Sequence, residues 1–397
     1  MKRNIVAAAA ACFMTLAVAG SALSATPGRN AGATDQPLAA RVSCGQTIVT
    51  NTKLLNDLID CPSNGIVIGT DNVTLDLNGH VIDGDATQFA DCPPDEPCDV
   101  GVFSSGHTGV TIKGGTVREF TFGVILDATE NSRLSRLALN DNLWSGLIVA
   151  GASHTTVTGL SVSGNGLTTD QAGIDIFDSH DLAIERNSVV GNGDIGFYVI
   201  GLEDSRIDKN AAAGNPEAGI LMEGNRNTLT RNRISDGGDA IIVSGDGNIV
   251  GDNQLSSTGC DGECGFGVSL EGGTGNLVEG NEMRHFHLAG IRVASFETEG
   301  GPPTTGNTVS GNLVRDSDLD GVIVEATATD TLVERNLVVG SGDDGIDVDN
   351  PRTTVSRNIA LHNADLGIEA VPGITDGGGN KAHANGNRAQ CTNVACN

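Results

Sequence analysis

Four aspartates lie in two neighbouring stretches of the chain, and their type and spacing suit acid and base chemistry. They are Asp320, Asp343, Asp344 and Asp347. Neighbouring carboxyl groups can act as general acid and general base in glycosidic cleavage, because mutual repulsion and partial burial separate their pKa values. The same oxygens could bind calcium, which takes several oxygen ligands. Aspartate also favours turns, so a solvated turn is the third interpretation.

A second candidate site combines the only tryptophan and the only tyrosine of the chain with two acids. Its members are Trp144, Asp175, Asp194 and Tyr198. Aromatic rings offer large, rigid contact surfaces, which suit sugar binding. In the repeat described below, Trp144 and Tyr198 lie two units apart, about 10 Å, which is the length of a disaccharide. Two interpretations of these aromatic residues therefore remain: they form a sugar subsite, or each ring only covers a turn.

Two histidines, His285 and His287, flank Phe286 and could hold a metal ion from one face of a strand. Zinc sites need three or four such ligands. The sequence near His285 and His287 shows no third ligand at a spacing typical of metal sites. A polar turn is therefore the favoured interpretation of this pair.

A repeated unit must position all of these residues. Its anchors are glycines, with one alanine, that are spaced 21 to 31 residues apart and begin apolar–x–apolar triplets; they are Gly101, Gly123, Gly146, Gly173, Gly196, Gly219, Ala240, Gly267, Gly290, Gly321, Gly345 and Gly367. Two-residue alternation indicates strands, and a period in this range indicates a solenoid, propeller or array. Glycine and asparagine content excludes helical repeats, and a propeller blade needs about 40 residues. We therefore predict an all-β fold: a single-domain, right-handed parallel β-helix of about twelve coils.

Strand alternation also predicts which side chain of each triplet faces outward. It is the second residue after the anchor, which gives the column Ile148, Asp175, Tyr198, Leu221, Ile242, Ser269, Arg292, Ile323, Asp347 and Glu369. We expect an extended polymer to lie along this mixed face. Arg292 is the only basic member and lies two coils before Asp347, so it is the candidate base of an eliminative reaction.

Asparagines follow most anchors from residue 173 onward and need no catalytic explanation. They are Asn187, Asn210, Asn232, Asn253, Asn281, Asn312, Asn336 and Asn358. Amides stacked in register can hydrogen-bond along the rod, which predicts a structural ladder. The repeat is interrupted at residues 85–99, 165–172, 256–266 and 294–306, where we expect loops around a binding face.

The ends of the chain differ from the repeat. Two basic residues, an apolar run and small residues predict a signal peptide over residues 1–24, and hence secretion to the periplasm or the exterior. The remaining sequence lacks an apolar run long enough to span a bilayer. We expect a flexible leader over 25–43, the β-helix over 44–390 with a short helix or cap at 54–59, and a C-terminal loop cap over 372–397.

Eight cysteines of the predicted mature chain fall in sequential pairs. These are Cys44 and Cys61, Cys92 and Cys98, Cys260 and Cys264, and Cys391 and Cys396. An even count in an exported chain favours local disulfides over metal sites.

The formal net charge is −27. Nucleic acid and anionic membranes are therefore poor partners, because both require a positive field. A polyanionic substrate would need calcium bridges or a local basic patch. A monomer and a homotrimer both remain open.

The opening LDLNGHVIDG and the repeated G-[IV]-x-[IV]…RN-x-[IV] coils resemble secreted β-helix proteins of the pectate-lyase-like superfamily. The resemblance covers about residues 44–390 and implies the fold. Members include polysaccharide lyases, glycoside hydrolases, uronate epimerases, phage tailspikes, adhesins and a copper-associated accessory protein of nitrous oxide reductase.

A local stretch is similar to polygalacturonases. Asp320-Gly321 and Gly342-Asp343-Asp344-Gly345 stand where that family has its Asn-Thr-Asp-Gly and Gly-Asp-Asp motifs, one coil apart. This similarity implies catalytic aspartates. The family's following Gly-His-Gly and Arg-Ile-Lys elements are absent, and Leu366 stands where the histidine would be.

The sequence thus predicts a secreted, carbohydrate-active protein that hydrolyses or eliminatively cleaves a polysaccharide on the outer face, with calcium as a possible cofactor. Hydrolysis ranks above elimination, because Arg292 is the only basic residue of the outward column. The alternative is a non-catalytic cell-surface or polysaccharide-binding protein, and metal delivery ranks third.

Overall fold

Short parallel strands wind into a solenoid. The computed structural model describes residues 37–87, 99–168, 171–257, 265–295 and 303–397, and residues 37–397 belong to one compact unit. These described residues form 44 strands and no helix. The predicted all-β parallel β-helix is confirmed. It has about fourteen turns rather than twelve, because two coils precede the first predicted anchor.

One sheet contains fourteen strands in simple chain order and carries the candidate site. Its strands are β2 (Gln46–Ile48), β5 (Ile66–Ile68), β8 (Val100–Ser105), β10 (Phe122–Asp127), β12 (Leu147–Ala150), β15 (Ile174–Phe177), β18 (Ile195–Glu203), β21 (Ala218–Asn225), β24 (Asp239–Ser244), β27 (Val268–Glu271), β31 (Ile291–Ala294), β35 (Val322–Val324), β39 (Ile346–Val348) and β42 (Ile368–Ala370).

A second sheet of 27 strands contains two parallel ladders that share β9 and β11. The first ladder is β1 (Leu38–Ala40), β3 (Thr52–Leu54), β6 (Thr74–Asp76), β9 (Thr111–Arg118), β11 (Arg133–Asn140), β13 (Thr156–Thr158), β16 (Ala183–Glu185), β19 (Arg206–Asp208), β22 (Thr228–Thr230), β25 (Ile249–Gly251), β29 (Leu277–Glu279), β33 (Thr308–Ser310), β37 (Leu332–Glu334), β40 (Thr354–Ser356) and β43 (Thr375–Gly378).

The second ladder includes β4 (Leu58–Cys61), β7 (Val81–Gly84), β14 (Ser161–Ser163), β17 (Ser188–Val190), β20 (Ala211–Ala213), β23 (Arg233–Ser235), β26 (Gln254–Ser256), β30 (Glu282–Arg284), β34 (Leu313–Arg315), β38 (Leu337–Val339), β41 (Ile359–Leu361) and β44 (Lys381–His383). A small third sheet contains β28 (Gly273–Thr274), β32 (Thr304–Thr305) and β36 (Ala328–Thr329).

Alternation explains the core. In β39, Ile346 and Val348 are buried while Asp347 between them is only half-buried. The inward residues of successive coils, such as Val322 and Ile346, are in register and stack along the axis. The core is therefore a continuous aliphatic column that runs the length of the rod, rather than a globular centre.

The predicted asparagine ladder is present and buried, and it extends to Asn380. The amide Nδ2 of each member donates to Oδ1 of the next, as between Asn232 and Asn253 at 3.0 Å. Sequence reasoning missed two shorter ladders: one contains Asn142, Asn165, Asn192 and Asn215, and the other contains Asn227, Asn248, Asn276 and Asn307. Turn amides thus tie the coils together at several corners.

The anchor glycines are required by close approach between coils. A Cβ at Gly345 would lie 2.5 Å from Nδ2 of Asn363 and 2.6 Å from the carbonyl oxygen of Gly367. Glycine gives the backbone room at such a point.

The two ends are closed by strands and disulfides. The short helix considered at residues 54–59 is wrong, because this segment contains the end of β3 and the start of β4. Cys44–Cys61 and Cys391–Cys396 form the predicted disulfides. The tail after residue 371 begins with two further strands, and Cys391 and Cys396 bridge to Ile368 and Asn380.

Several predictions lie outside the described residues. These are the signal peptide over 1–24, residues 25–36 of the predicted leader, most of the interruptions at 85–99, 256–266 and 294–306, and the pairs Cys92/Cys98 and Cys260/Cys264. The described end of the leader is not flexible coil, because β1 pairs with β3 there. Within the described ranges, no helix is long and apolar enough to cross a membrane.

Candidate functional site

The outer face of the fourteen-stranded sheet presents the predicted column in register. Asp347 pairs with Ile323 on one side and with Glu369 on the other, and Arg292 pairs with Ile323. Asp320 and Asp344 immediately precede the anchors Gly321 and Gly345, so they form a second column beside the first. The structure therefore brings Asp320, Asp343, Asp344 and Asp347 together on two neighbouring coils.

Backbone contacts orient two of these carboxyl groups. The N–H of Asp344 donates to Oδ1 of Asp320 at 3.1 Å, and the N–H of Leu366 donates to Oδ1 of Asp344 at 2.7 Å. Each carboxyl group thus reaches up to the equivalent residue of the next coil. Leu366, which precedes the anchor Gly367, takes part in this contact through its backbone alone.

Asp239 shows the same contact outside the cluster. Its Oδ1 accepts from the N–H groups of Phe266 at 2.7 Å and Gly265 at 2.8 Å. An aspartate before an anchor is therefore a recurrent way to satisfy backbone donors where a coil bends. Glu271 and Glu217 also repel the Asp239 carboxylate, but Asp344 differs from Asp239 in its hydrogen bond with a second acid, Glu369.

The electrostatics of the cluster favour retained protons. Burial raises the pKa of Asp320 to about 6, with repulsion from Asp343 and Glu369 adding to the shift. Burial raises the pKa of Asp347 to about 7, and repulsion from Asp349, Asp320, Glu369 and Asp343 acts in the same direction. These carboxyls can exchange protons near neutral pH, which an isolated aspartate cannot do.

Asp344 and Glu369 form the most closely linked pair. Asp344 is buried, and burial followed by a hydrogen bond with the Glu369 carboxyl raises its pKa. Two carboxyl groups in such contact share one proton, because both cannot ionise at short range without a large repulsion. This pair is a ready source of a proton close to neutral pH.

Part of the cluster could hold a metal ion. Carboxylate oxygens of Asp343, Asp344 and Asp365 lie within 4.8 Å of one another. Oxygen ligands of this kind suit calcium. In that state Asp344 would be ionised and could not donate a proton.

Arg292 does not behave as a free base. Its Nε lies 2.6 Å from Oε1 of Glu325 and its Nη1 lies 3.2 Å from Oε1 of Glu271. Its guanidinium also lies over the ring of Phe266, 5.3 Å from the centroid. The arginine is buried and bridges neighbouring coils, two coils from Asp347.

The second candidate set lies on three consecutive coils, with Tyr198 in register with Asp175. Asp175 is buried, its carboxylate is hydrogen-bonded by Oγ of Ser145, and burial raises its pKa to about 7. Trp144 packs edge-on against Phe122 at 5.5 Å between ring centroids. Asp194 lies at the start of the coil that carries Tyr198 and is half-buried.

An apolar cluster surrounds Tyr198 on the outer face. It consists of Ala172, Ile195, Ala218 and Ile242, with Tyr198 and Leu221 packed against it. Tyr198 also meets Phe177 edge-on at 6.0 Å, and burial raises its pKa to about 12. The middle of the outward column is thus more buried than the sequence indicates, because side chains of the two columns cover each other. The open, acidic part lies at Asp347 and Glu369.

His285 and His287 are both exposed, on either side of the buried Phe286. Nδ1 of His287 lies 2.9 Å from Oδ2 of Asp318.

Sequence reasoning left two members of the acidic cluster out of the candidate site. Glu369 belongs to the outward column one coil after Asp347, and Asp365 occupies the same place before Gly367 that Asp343 occupies before Gly345. The sequence contained the information needed to find them. Extending the repeat by one coil places both residues on the outer face that carries Asp347.

Comparison with solved structures supports the architecture. The A-module of mannuronan C-5 epimerase AlgE6 from Azotobacter vinelandii matches at 14% identity with a TM-score of 0.53, covering 91% of each chain. The A-module of mannuronan C-5 epimerase AlgE4 from the same organism matches at 16% identity with a TM-score of 0.51, covering 78% of this chain and 91% of that one. At these identities the likeness shows the fold alone.

Two sequence profiles also match. That of the periplasmic copper-binding protein NosD covers residues 78–258, less than half of the chain. No curated protein sequence matches. The profile described as the right handed beta helix region covers residues 173–358 and 239–395, which together exceed half of the chain. The chain belongs to this right-handed β-helix family.

Proposed function

We propose that this protein hydrolyses a polysaccharide that lies against the outer face of the fourteen-stranded sheet, at the coils that carry Asp320, Asp344, Asp347 and Glu369. The observation that carries the proposal is the stacking of these carboxyl groups on three neighbouring coils of one face. A pair of carboxyl groups is the usual equipment of glycoside hydrolysis.

The roles follow from the environments. Asp344 shares a proton with Glu369 and would donate it to the oxygen of the departing sugar. The pKa of Asp320, about 6, lies below that of Asp347, so Asp320 would be the base that activates the attacking water. Asp347 lies in the adjoining column and would stabilise the positive charge that develops on the sugar ring.

Elimination is a weaker proposal than hydrolysis. A lyase needs a base that is free to remove a proton, with the substrate carboxylate neutralised nearby. Arg292 is held by Glu271 and Glu325 and lies two coils from Asp347. We therefore assign Arg292 to the stability of the coils and not to the reaction.

Calcium is not required by this scheme. A calcium ion held by Asp343, Asp344 and Asp365 would keep Asp344 ionised and would remove the proposed acid. We expect hydrolysis to persist when a chelator is present, and excess calcium to slow it.

The remaining predicted contacts belong to substrate binding. Trp144, Asp194 and Tyr198 lie on coils well before the cluster, so they would contact distant sugars of a long chain, while the buried Asp175 supports this surface from below. Support for a polysaccharide partner comes from the similar folds, two of which are modules of mannuronan C-5 epimerases. Disulfides and the partial match to a periplasmic protein fit a location outside the cytoplasm.

The test is product analysis with the chain lacking residues 1–24. The chain is incubated with neutral and uronic polysaccharides, with and without calcium, and both reducing ends and ultraviolet absorbance are followed. The proposal expects new reducing ends without absorbance of unsaturated sugars. Absorbance that requires calcium would show elimination instead and would overturn the assigned roles.

A binding protein without catalysis is the second candidate. It is favoured by Asp239, which makes the same backbone contact as Asp320 and Asp344 outside the proposed catalytic coils. If this second candidate is correct, the aspartates only accept backbone hydrogen bonds that hold neighbouring coils together. Saturable polymer binding without any product over long incubation would select it.

A further inference from the structure

Two histidines and an aspartate from neighbouring coils meet at a turn several coils before the carboxyl cluster. Parallel bridges link Glu130, Ser153, His180 and Glu203 from coil to coil at this turn. His154 follows Ser153 and Asp181 follows His180, so His154 and Asp181 occupy one register position. Both have left-handed backbone conformations, with φ of 50° and 54°.

Ring nitrogens of both histidines converge on a single carboxylate oxygen. Nδ1 of His180 lies 2.9 Å from Oδ2 of Asp181, and Nε2 of His154 lies 3.8 Å from the same oxygen. The two rings are edge-on, with centroids 5.9 Å apart. Imidazole nitrogens with one carboxylate form the ligand set that zinc and related divalent transition ions take in proteins.

Hydrogen bonds to neighbouring coils fix the backbone of His180 and Asp181, while the side chains of all three residues are accessible to solvent. The N–H of His180 donates to Ala152 O at 3.0 Å, and the N–H of Asp181 donates to Glu203 O at 3.2 Å. The side chains are about half-exposed: 54% for His154, 55% for His180 and 48% for Asp181. An ion can therefore reach these side chains. The rings have to turn before all three residues can share it, because their ligand atoms do not all lie within 4.8 Å of one another in the present rotamers.

Arg226, on this side of the solenoid, pairs with carboxylates other than that of Asp181. Nε of Arg226 lies 2.7 Å from Oδ1 of Asp204, and its Nη2 lies 2.7 Å from Oε2 of Glu203. Asp204 and Glu203 belong to the coil after Asp181, so the arginine is bound one step further along the turn. Within the described ranges, Asp181 forms its ion pairs with the two histidines.

We propose that His154, His180 and Asp181 bind a divalent transition metal ion that links two neighbouring coils. The site is independent of the proposed hydrolysis, since it uses none of the carboxyl groups assigned there and lies at a different corner of the solenoid. The alternative is a plain histidine–carboxylate ion pair that binds no metal.

The test is calorimetric titration of the full, chelator-treated chain with zinc chloride. Variants take the residue that the preceding coil carries at the same register position: His154→Asn copies Asn131, and His180→Ser copies Ser153. Asn131 has a φ of 52°, so asparagine fits the left-handed conformation of residue 154. The wild-type chain should bind one zinc ion at this turn, and each variant should weaken that binding at least about tenfold.

His287→Asn is the matched control. His287 has the same 2.9 Å contact with the carboxylate of Asp318 and similar exposure, but among the described residues no second imidazole forms an ion pair with that carboxylate. This variant should leave zinc binding unchanged. Absence of zinc binding by the wild-type chain, equal affinity in His154→Asn and His180→Ser, or loss of binding in His287→Asn would each overturn the proposal. If either His154→Asn or His180→Ser lowers the melting temperature, the zinc affinity of the other variant tests the proposal.

Discussion

At the scale of single residues, Asp175 and Asp344 share one physical situation. Each carboxyl group lies on the outer face of a sheet, yet neighbouring side chains keep water away from it. Burial disfavours the ionised form and raises the pKa in both cases. Asp175 has the single Ser145 hydroxyl as a partner, whereas Asp344 has a second acid. Asp344 and Glu369 can therefore share one proton, whereas Asp175 holds its proton without a second acid.

Asp175 predicts a pH-dependent stability. Its pKa of about 7 in the folded chain lies above the ordinary value of 3.8. Protonated Asp175 therefore stabilises the fold fully below pH 3.8, and this contribution is lost as the pH rises through about 7. Asp175→Asn keeps a neutral side chain at every pH. We expect this variant to match the wild-type chain at pH 4 and to exceed its free energy of unfolding at pH 8 by about 2–4 kcal/mol.

Denaturant unfolding of both chains at the two pH values measures this difference. Wild-type and variant chains with parallel pH profiles would show that Asp175 ionises as readily in the folded chain as in the unfolded one.

At the scale of elements, the asparagine ladder couples each coil to the next. Oδ1 of Asn232 accepts from the backbone N–H of Asn210 at 2.9 Å, and its Nδ2 donates to Ile207 O at 2.9 Å and to Asn253 at 3.0 Å. Removing this buried amide leaves donors and acceptors on both neighbouring coils without partners.

We expect Asn232→Ala to lower the free energy of unfolding by about 2–4 kcal/mol, measured by denaturant unfolding. Arg233→Ala is the control, since its exposed side chain makes only a 3.5 Å contact with Gln254. That change should cost about 0.5 kcal/mol or less. Similar losses in the two variants would show that the ladder adds little to stability.

The two described disulfides should contribute unequally. Cys44–Cys61 closes a loop with a sequence separation of 17, and Cys391–Cys396 one of 5. A longer loop removes more conformational freedom from the unfolded chain. Replacing the first pair by serine should cost about 3 kcal/mol, and replacing the second about 2 kcal/mol, by denaturant unfolding. A larger loss at the C-terminal pair would contradict this ranking.

At the scale of the whole molecule, the repeat made the fold predictable. Gly321, Gly345 and the alternating residues after them repeat so regularly that strand positions, the outward column and the asparagine ladder follow from the sequence. The number of coils was underestimated for two reasons. Gly65 precedes the apolar triplet of β5, but the interruption at residues 85–99 separates it from Gly101 by more than one usual repeat, and Gly45 precedes β2, whose first two residues are polar.

The site was only partly predictable, because burial and pairing depend on neighbours in space. Arg292 looks like an available base in the column, but Glu271 and Glu325 come from the coils on either side and bind it. Asp344 looks like its neighbour Asp343, yet only Asp344 is buried against Glu369. Asp175 is buried because side chains of two neighbouring columns pack over it. The repeat pattern of the sequence does not show such packing.

The most direct test of the proposed function compares rates of reducing-end release for wild-type, Asp344→Asn and Asp239→Asn chains on a polysaccharide that the wild-type chain cleaves. Both aspartates precede an anchor and accept backbone N–H groups, but only Asp344 lies in the acidic cluster. We predict that Asp344→Asn lowers the rate by about 10²–10⁴-fold while Asp239→Asn leaves it unchanged. A wild-type rate in Asp344→Asn, with the fold intact, would contradict the account.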